Sequence, residues 1–332
     1  MNLQTKIQVK KQPHNQIDYQ SKLFLIGSCF VENIGSKLEY FKFKTLQNPF
    51  GILFHPLAIE NLITNAINEK VYIEEDLFFQ NEQWHCFEAH SKLSSTSKND
   101  LLNGLNQQIQ AANHQIKDTT HIILTLGTAW VYRFIDTDAI VANCHKVPQK
   151  RFLKELLSVD DILQSLQAIV SLIKSVNKKA TIVFTVSPVR HLKDGFVENT
   201  QSKAHLISAI HEFLSRQPVL TEMRLSGNPT ICNQQTFYFP AYELMMDELR
   251  DYRFYAEDMV HPNQTAINYI WEIFKDVWIS NNAFKTMDEV ETIQKGLQHK
   301  PFNPNSEAHQ LFLQKLSERI DRLQLRFPHI LF

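Results

Sequence analysis

Three short runs, apolar almost from end to end, constrain this chain more than anything else in it. They are Leu23-Phe24-Leu25-Ile26, His121-Ile122-Ile123-Leu124-Thr125-Leu126 and Thr181-Ile182-Val183-Phe184-Thr185-Val186. Each is too short to cross a membrane and too continuous to keep one face in water. Each therefore reads as a strand of a parallel sheet buried on both faces. The runs stop at small residues, Gly27, Gly127 and Ser187. Between them lie stretches with helical spacing: 31–40 with Val31, Ile34 and Leu38 on one face, 100–116, and 158–176. A fourth strand is expected at 236–239, ending at Pro240. Strands alternating with helices predict an α/β fold, a central parallel sheet with helices on both faces.

The remaining segments fit around that frame. Asn48-Pro49-Phe50-Gly51 is a turn, and a helix is expected over 55–68. Hairpins are expected from 77–79 with 84–87 and from 131–134 with 139–142. Helices follow at 199–215 and from Pro262 to about 278, the latter burying Ile267, Ile270, Trp271, Phe274 and Val277. Residues 1–20 read as an arm, 21–280 as the main domain and 281–332 as a C-terminal helical extension. In the extension, Leu313, Leu316, Ile320, Leu323 and Phe327 form a stripe that predicts a helix docked on the core.

In open parallel sheets the ligand crevice lies beyond the C-terminal strand ends. Ser28 and Cys29 follow the first strand, Gly127 ends the second and Ser187 follows the third. A strand, a tight turn at Gly27 and a helix hold a hydroxyl or thiol over the sheet edge, where free N–H groups of the helix start converge. The plain alternative is an ordinary strand-to-helix turn capped by Ser28. A nucleophile needs a base, and the base an orienting group; Asp258-Met259-Val260-His261 supplies both within one turn.

Bulk properties exclude several other classes. With 34 basic and 35 acidic residues and a formal charge of -1, nothing favours nucleic acid or an anionic membrane as partner. No run approaches a membrane span, and the first 19 residues lack the apolar centre of a signal peptide, so a cytoplasmic location is expected. Cys29, Cys86, Cys144 and Cys232 are widely spaced, which argues against a zinc ribbon or a disulfide scaffold and reads as reduced thiols. With 8 glycines and no phosphate-loop or dinucleotide fingerprint, no cofactor is expected. His85, Cys86 and His90 lack a fourth partner and read as ordinary, not metal-binding.

The ordered set of motifs resembles the GSCFA-domain family, within the SGNH (GDSL-like) hydrolases. It comprises Gly27-Ser28-Cys29-Phe30, Asn48-Pro49-Phe50-Gly51, Leu126-Gly127-Thr128-Ala129-Trp130, Asn143-Cys144-His145-Lys146, Ser187-Pro188-Val189-Arg190-His191 and Asp258 through Pro262. The resemblance implies a bacterial protein with an SGNH-like three-layer α/β/α fold and an esterase-type site. It implies a nucleophile at Ser28 or Cys29, with His261 as base oriented by Asp258. Strict register puts Cys29 at the nucleophile position and Ser28 where the group's Asp would stand. An oxyanion hole is implied from the N–H groups of Ser28 or Cys29 and Gly51, with Thr128, Asn48 or Asn143 as candidate substitutes because Ala129 replaces the group's usual Asn. Asn48, Trp130, Asn143, His145, Arg190 and His191 are the candidate substrate contacts. The expected activity is hydrolysis of a small O-acyl ester, such as an acetyl group on a carbohydrate, through an acyl-enzyme. Acyl transfer from a thioester to a sugar hydroxyl, or carbohydrate binding without catalysis, are the alternatives.

Overall fold

The computed structural model describes residues 5–217 and 235–332. Strand β1 (Lys22–Gly27) leads into α1 (Cys29–Tyr40), then β2 (Lys44–Gln47) and α2 (Pro56–Ile67). A hairpin of β3 (Phe78–Gln80) and β4 (Gln83–His85) precedes α3 (Lys98–Asp118) and β5 (His121–Leu126). A small antiparallel sheet follows, built from β6 (Trp130–Phe134), β7 (Ala139–Val141) and β8 (Phe152–Leu156). The chain returns through α4 (Val159–Val176), β9 (Thr181–Val186) and α5 (Phe196–Ser215). It continues with β10 (Thr236–Phe239), the single turn α6 (Ala241–Glu243), α7 (Gln264–Trp278), α8 (Asn281–Gln298) and α9 (Glu307–Arg326).

The main sheet is parallel throughout, in the order β2-β1-β5-β9-β10. The chain steps outward from β1 to β2, then crosses back to β5 and builds the other way. That reversal leaves a crevice at the C-terminal ends of β1 and β5, the place where doubly wound sheets bind ligands. Side chains alternate between two cores. Phe24 and Ile26 of β1 pack in the core that holds Leu62, Ile109, Leu166 and Leu206 from α2, α3, α4 and α5. Leu23 and Leu25 face the core that holds Leu38, Phe274, Val290 and Leu323 from α1, α7, α8 and α9. Period-two alternation in apolar strands thus sandwiches the sheet between helical layers, the three-layer α/β/α arrangement with a C-terminal helical region.

Several departures from the sequence reading have plain causes. β2 and β8 lie outside that reading: KTLQ and FLKEL sit at sheet edges, half-exposed or exposed apart from the buried Phe152, and lack the apolar signal of the central strands. α7 starts two residues after Pro262, because Asn263 caps it through Thr265 and Ala266 N–H while its amide also donates to the Arg253 and Tyr255 carbonyls. Pro262 stays extended, bridged to Tyr255. Part of the N-terminal arm is held: Ile17 and Tyr19 are buried, and Ile17 pairs with the chain at the end of α7. α9 docks as expected by burying Leu316 and Leu323, but Leu313 on its predicted stripe is 42% exposed. Cys232 lies outside the described residues.

Candidate functional site

The β1–α1 junction is built around a backbone contact. Gly27 has φ 145°, and a Cβ there would lie 2.2 Å from the Thr125 carbonyl oxygen on β5. This close approach lets Ser28 N–H donate to that oxygen at 3.0 Å. On the other side, Gly27 N–H donates to Asn48 Oδ1 at 2.9 Å, which fixes the orientation of the Asn48 amide. Asn48 Nδ2 is then left buried with no partner.

Ser28 and Cys29 are divided by this geometry. Ser28 is 1% exposed and caps α1, its Oγ accepting from Phe30 N–H at 3.4 Å. Cys29 is the first helical residue, and its thiol is partly open to solvent. Burial pushes the thiol above its ordinary pKa; Lys203 pulls it back, Glu32 opposes that pull, and the backbone amides of the helix start favour the thiolate.

Lys203 was missed by sequence reasoning. It lies on α5 fully inside the protein, with Nζ donating to the carbonyls of Gly127 at 2.7 Å and Ser187 at 2.8 Å, just past the ends of β5 and β9. Burial brings its ammonium down to about 7, with Cys29 opposing the drop and Arg190 adding to it. The signal was present: Lys203 falls on the buried stripe of α5 with Asn199, Leu206, Ile210 and Phe213.

At the far end of the domain, Met259 takes φ 57° and folds Asp258 back over its own turn. Asp258 Oδ1 accepts from the N–H groups of Val260 and His261, both at 2.9 Å, and Oδ2 pairs with His261 Nδ1 at 2.6 Å. Those bonds, the His261 N–H first, hold the carboxyl down to about 2, so it is ionised at neutral pH. The dyad is therefore intact, with its tautomer set by the carboxylate. Among the described residues no hydrogen bond joins His261 to the Cys29 thiol. Burial holds His191 at about 4; the charges of Lys203 and His261 add to this and that of Asp194 opposes it.

Several predicted contacts are corrected. Gly51, at φ 71°, gives its N–H to Asn48 O at 2.7 Å, so it closes the turn and has nothing left for an oxyanion. Thr128 gives its N–H to Phe54 O, and its hydroxyl is engaged with Ser202 Oγ at 2.9 Å and Trp130 N–H at 3.1 Å. Ser28 N–H is spent on Thr125. His145 is buried among Phe78, His85 and Phe87, with Nε2 donating to the Cys86 carbonyl at 2.8 Å. Asn143 supports it by accepting His145 N–H at 2.9 Å. Both serve the small-sheet region because that loop folds onto the β3–β4 hairpin. Trp130, half-buried, is anchored through Nε1 to Glu198 O at 3.2 Å, with Lys154 Nζ 4.4 Å from the ring centroid.

Arg190 and His191 do reach the crevice side. Arg190 lines a cavity of about 530 Å³ with Met246, Tyr252, Tyr255, Asp258 and Met259, and donates to the Tyr255 hydroxyl at 3.4 Å. His191 leans over Gly127 beside Phe54, its Nε2 buried without a partner. His85, by contrast, is satisfied by Ser94 Oγ at 2.6 Å and Gln80 O at 3.0 Å.

Fold and crevice together define a doubly wound α/β protein with a thiol at the switch point and an Asp–His pair on a late turn. A model of the GSCFA family matches residues 22–274, and a model of the GSCFA domain protein, C-terminal domain, matches residues 290–332. The chain belongs to the GSCFA family. No match is found among curated proteins.

Proposed function

We propose that this protein is an acyl-ester hydrolase of SGNH type that works through a thioester acyl-enzyme on Cys29. The observation that carries this reading is the placement of Cys29. Its thiol stands on the first residue of α1 at the switch point and is partly exposed, while Ser28 is buried as the cap of the same helix. Cys29 Sγ attacks the ester carbonyl as its proton passes to His261 Nε2, which has no other partner among the described residues. The Asp258 carboxylate stabilises the resulting imidazolium. The C–O bond breaks, the leaving alkoxide takes the proton from His261, and water then cleaves the thioester by the reverse path. The reading requires His261 Nε2 and Cys29 Sγ to come within proton-transfer range in the substrate complex, where catalytic hydrogen bonds tighten.

With Gly51, Thr128 and Ser28 committed elsewhere, Cys29 N–H and the unpartnered Asn48 Nδ2 are the donors for the oxyanion. Arg190 has no carboxylate partner among the described residues and is the contact for a polar or anionic substituent of the substrate. A small acyl group, such as acetyl on a carbohydrate, is the expected cargo. A second reading, acyl transfer from a thioester to a sugar hydroxyl, is favoured by the thiol itself, because thioester exchange costs little.

Labelling with a serine- and thiol-reactive acyl phosphonate, followed by peptide mass mapping, tests the reading. The expected adduct is on Cys29 and disappears in Cys29→Ala. Aryl acetate turnover should fall roughly a hundredfold or more in His261→Ala. A folded protein that neither labels nor turns over would be a binding protein on this fold. Product analysis with and without a sugar acceptor separates hydrolase from transferase.

A further inference from the structure

We infer that the cavity beside the Asp258–His261 turn is the subsite for the leaving alcohol, and that it selects an anionic one, a sugar acid or sugar phosphate held by Arg190. This rests on the reading of His261 as proton carrier, since His261 hands its proton to the leaving oxygen. The alcohol therefore lies on the His261 side of the bond that breaks. Asp258, Met259 and Val260, the turn that carries His261, line the cavity. Its volume of about 530 Å³ falls within the ~300–1,000 Å³ typical of small-molecule sites. Arg190 reaches it from the loop just past β9, and that loop is held on both sides of the arginine. Ser187 N–H donates to the Leu126 carbonyl at 2.8 Å, and His191 N–H to Asn199 Oδ1 at 2.9 Å.

The charges around the cavity leave one vacancy. Besides Arg190, the charged side chains lining it among the described residues are Arg250, Asp251 and Asp258, and each has its partner. Arg250 pairs with Asp247 at 3.2 Å, Asp251 with Arg253 at 2.9 Å and Asp258 with His261 at 2.6 Å. Asp258 is further turned onto its own turn by the Val260 and His261 N–H groups. Arg190 has no carboxylate among the described residues; it donates to two phenols, Tyr255 at 3.4 Å and Tyr242. A guanidinium carries five N–H donors in a planar fork that matches two oxygens of a carboxylate or phosphate. The rest of the lining is aromatic and open. Tyr252 is 76% and Phe196 69% exposed, and the Tyr252 and Tyr255 rings stand 6.1 Å apart. Exposed aromatic faces beside an unpaired cation suit a ring that is apolar on its C–H face and carries an acid group.

Calorimetric titration of the full chain with glucuronate, glucose 6-phosphate and glucose, at one ionic strength, tests this without any ester. One of the two anions should bind at least about tenfold more tightly than glucose, and the tighter one names the acid group. Arg190→Met should abolish the preference, and Arg190→Lys should restore part of it. Tyr252→Ala, at an exposed position, should weaken the preferred anion severalfold. Glucose binding as well as both anions, or no binding of any of the three, would overturn the inference, and neither result needs a variant. A preference that persists in a folded Arg190→Met protein, or binding untouched by Tyr252→Ala, would overturn it as well. Failure of the esterase reading looks different: anion binding that depends on Arg190 and survives Cys29→Ala, in a protein that turns over no ester. Ester turnover without an anion preference would sink this inference alone.

Discussion

Ser28 and Cys29 are one backbone step apart, and that step decides which meets solvent. The N-cap position turns Ser28 Oγ inward onto Phe30 N–H, so its role is local: a cap of this type stabilises by about 1 kcal/mol. Ser28→Ala is expected to lower stability by that amount, read by urea unfolding, while the acyl-phosphonate adduct stays on Cys29. Loss of the adduct from a folded Ser28→Ala protein would reassign the nucleophile. The motif itself could not choose between the two side chains, because both follow the same glycine. Capping geometry settles which one is sealed.

At the scale of elements, the β1–α1 junction and α3 hold glycines of opposite kinds. Gly27 faces the Thr125 backbone with no room for a Cβ, whereas Gly104 in α3 has nothing within 4 Å of where its Cβ would be. Gly27→Ala must push β1 from β5 and is expected to cost about 2–4 kcal/mol. Gly104→Ala is expected to gain up to about 1 kcal/mol from helix propensity alone. Parallel denaturant titrations check both; a neutral Gly27→Ala would mean the strand ends do not need this contact. The central strands and the amphipathic helices were legible because their signals are local and periodic. β2 and β8 were not, since an edge strand with lysines and a glutamate carries no such pattern.

At the scale of the whole molecule, neutral imidazoles are part of the fold. His55 is buried, caps α2 by accepting Ala58 N–H at Nδ1, and pairs at Nε2 with the Val141 carbonyl at 3.1 Å. Only the neutral ring with its proton on Nε2 satisfies both bonds, and burial holds the group at about 4. His145 and His191 are held at about 4 by the same cause. Each folded value lies below the unfolded one, about 6.5, so on acidification the unfolded chain takes up protons first. Stability should therefore be intact above pH 6.5 and fall progressively towards pH 4, by about 3 kcal/mol for His55 alone. Thermal melts from pH 7.5 to 4 check this, and His55→Asn, which keeps a cap but cannot titrate, should show a shallower loss. A Tm independent of pH across that window would refute the assignment.

What the amino-acid order determined alone is whatever a few neighbouring residues control. That covers the three apolar runs, most of the helices between them, the Gly27 junction and the Asp258–His261 pair, whose partners share one turn. Tertiary structure decided what depends on residues far apart in the chain. It turned Lys203 inward onto the carbonyls just past β5 and β9, spent the Gly51 and Thr128 N–H groups on other carbonyls, and moved His145 into an aromatic cluster. The physical reason is that burial and hydrogen-bond commitment belong to pairs of groups, and those pairs exist only once the sheet has brought its strands together.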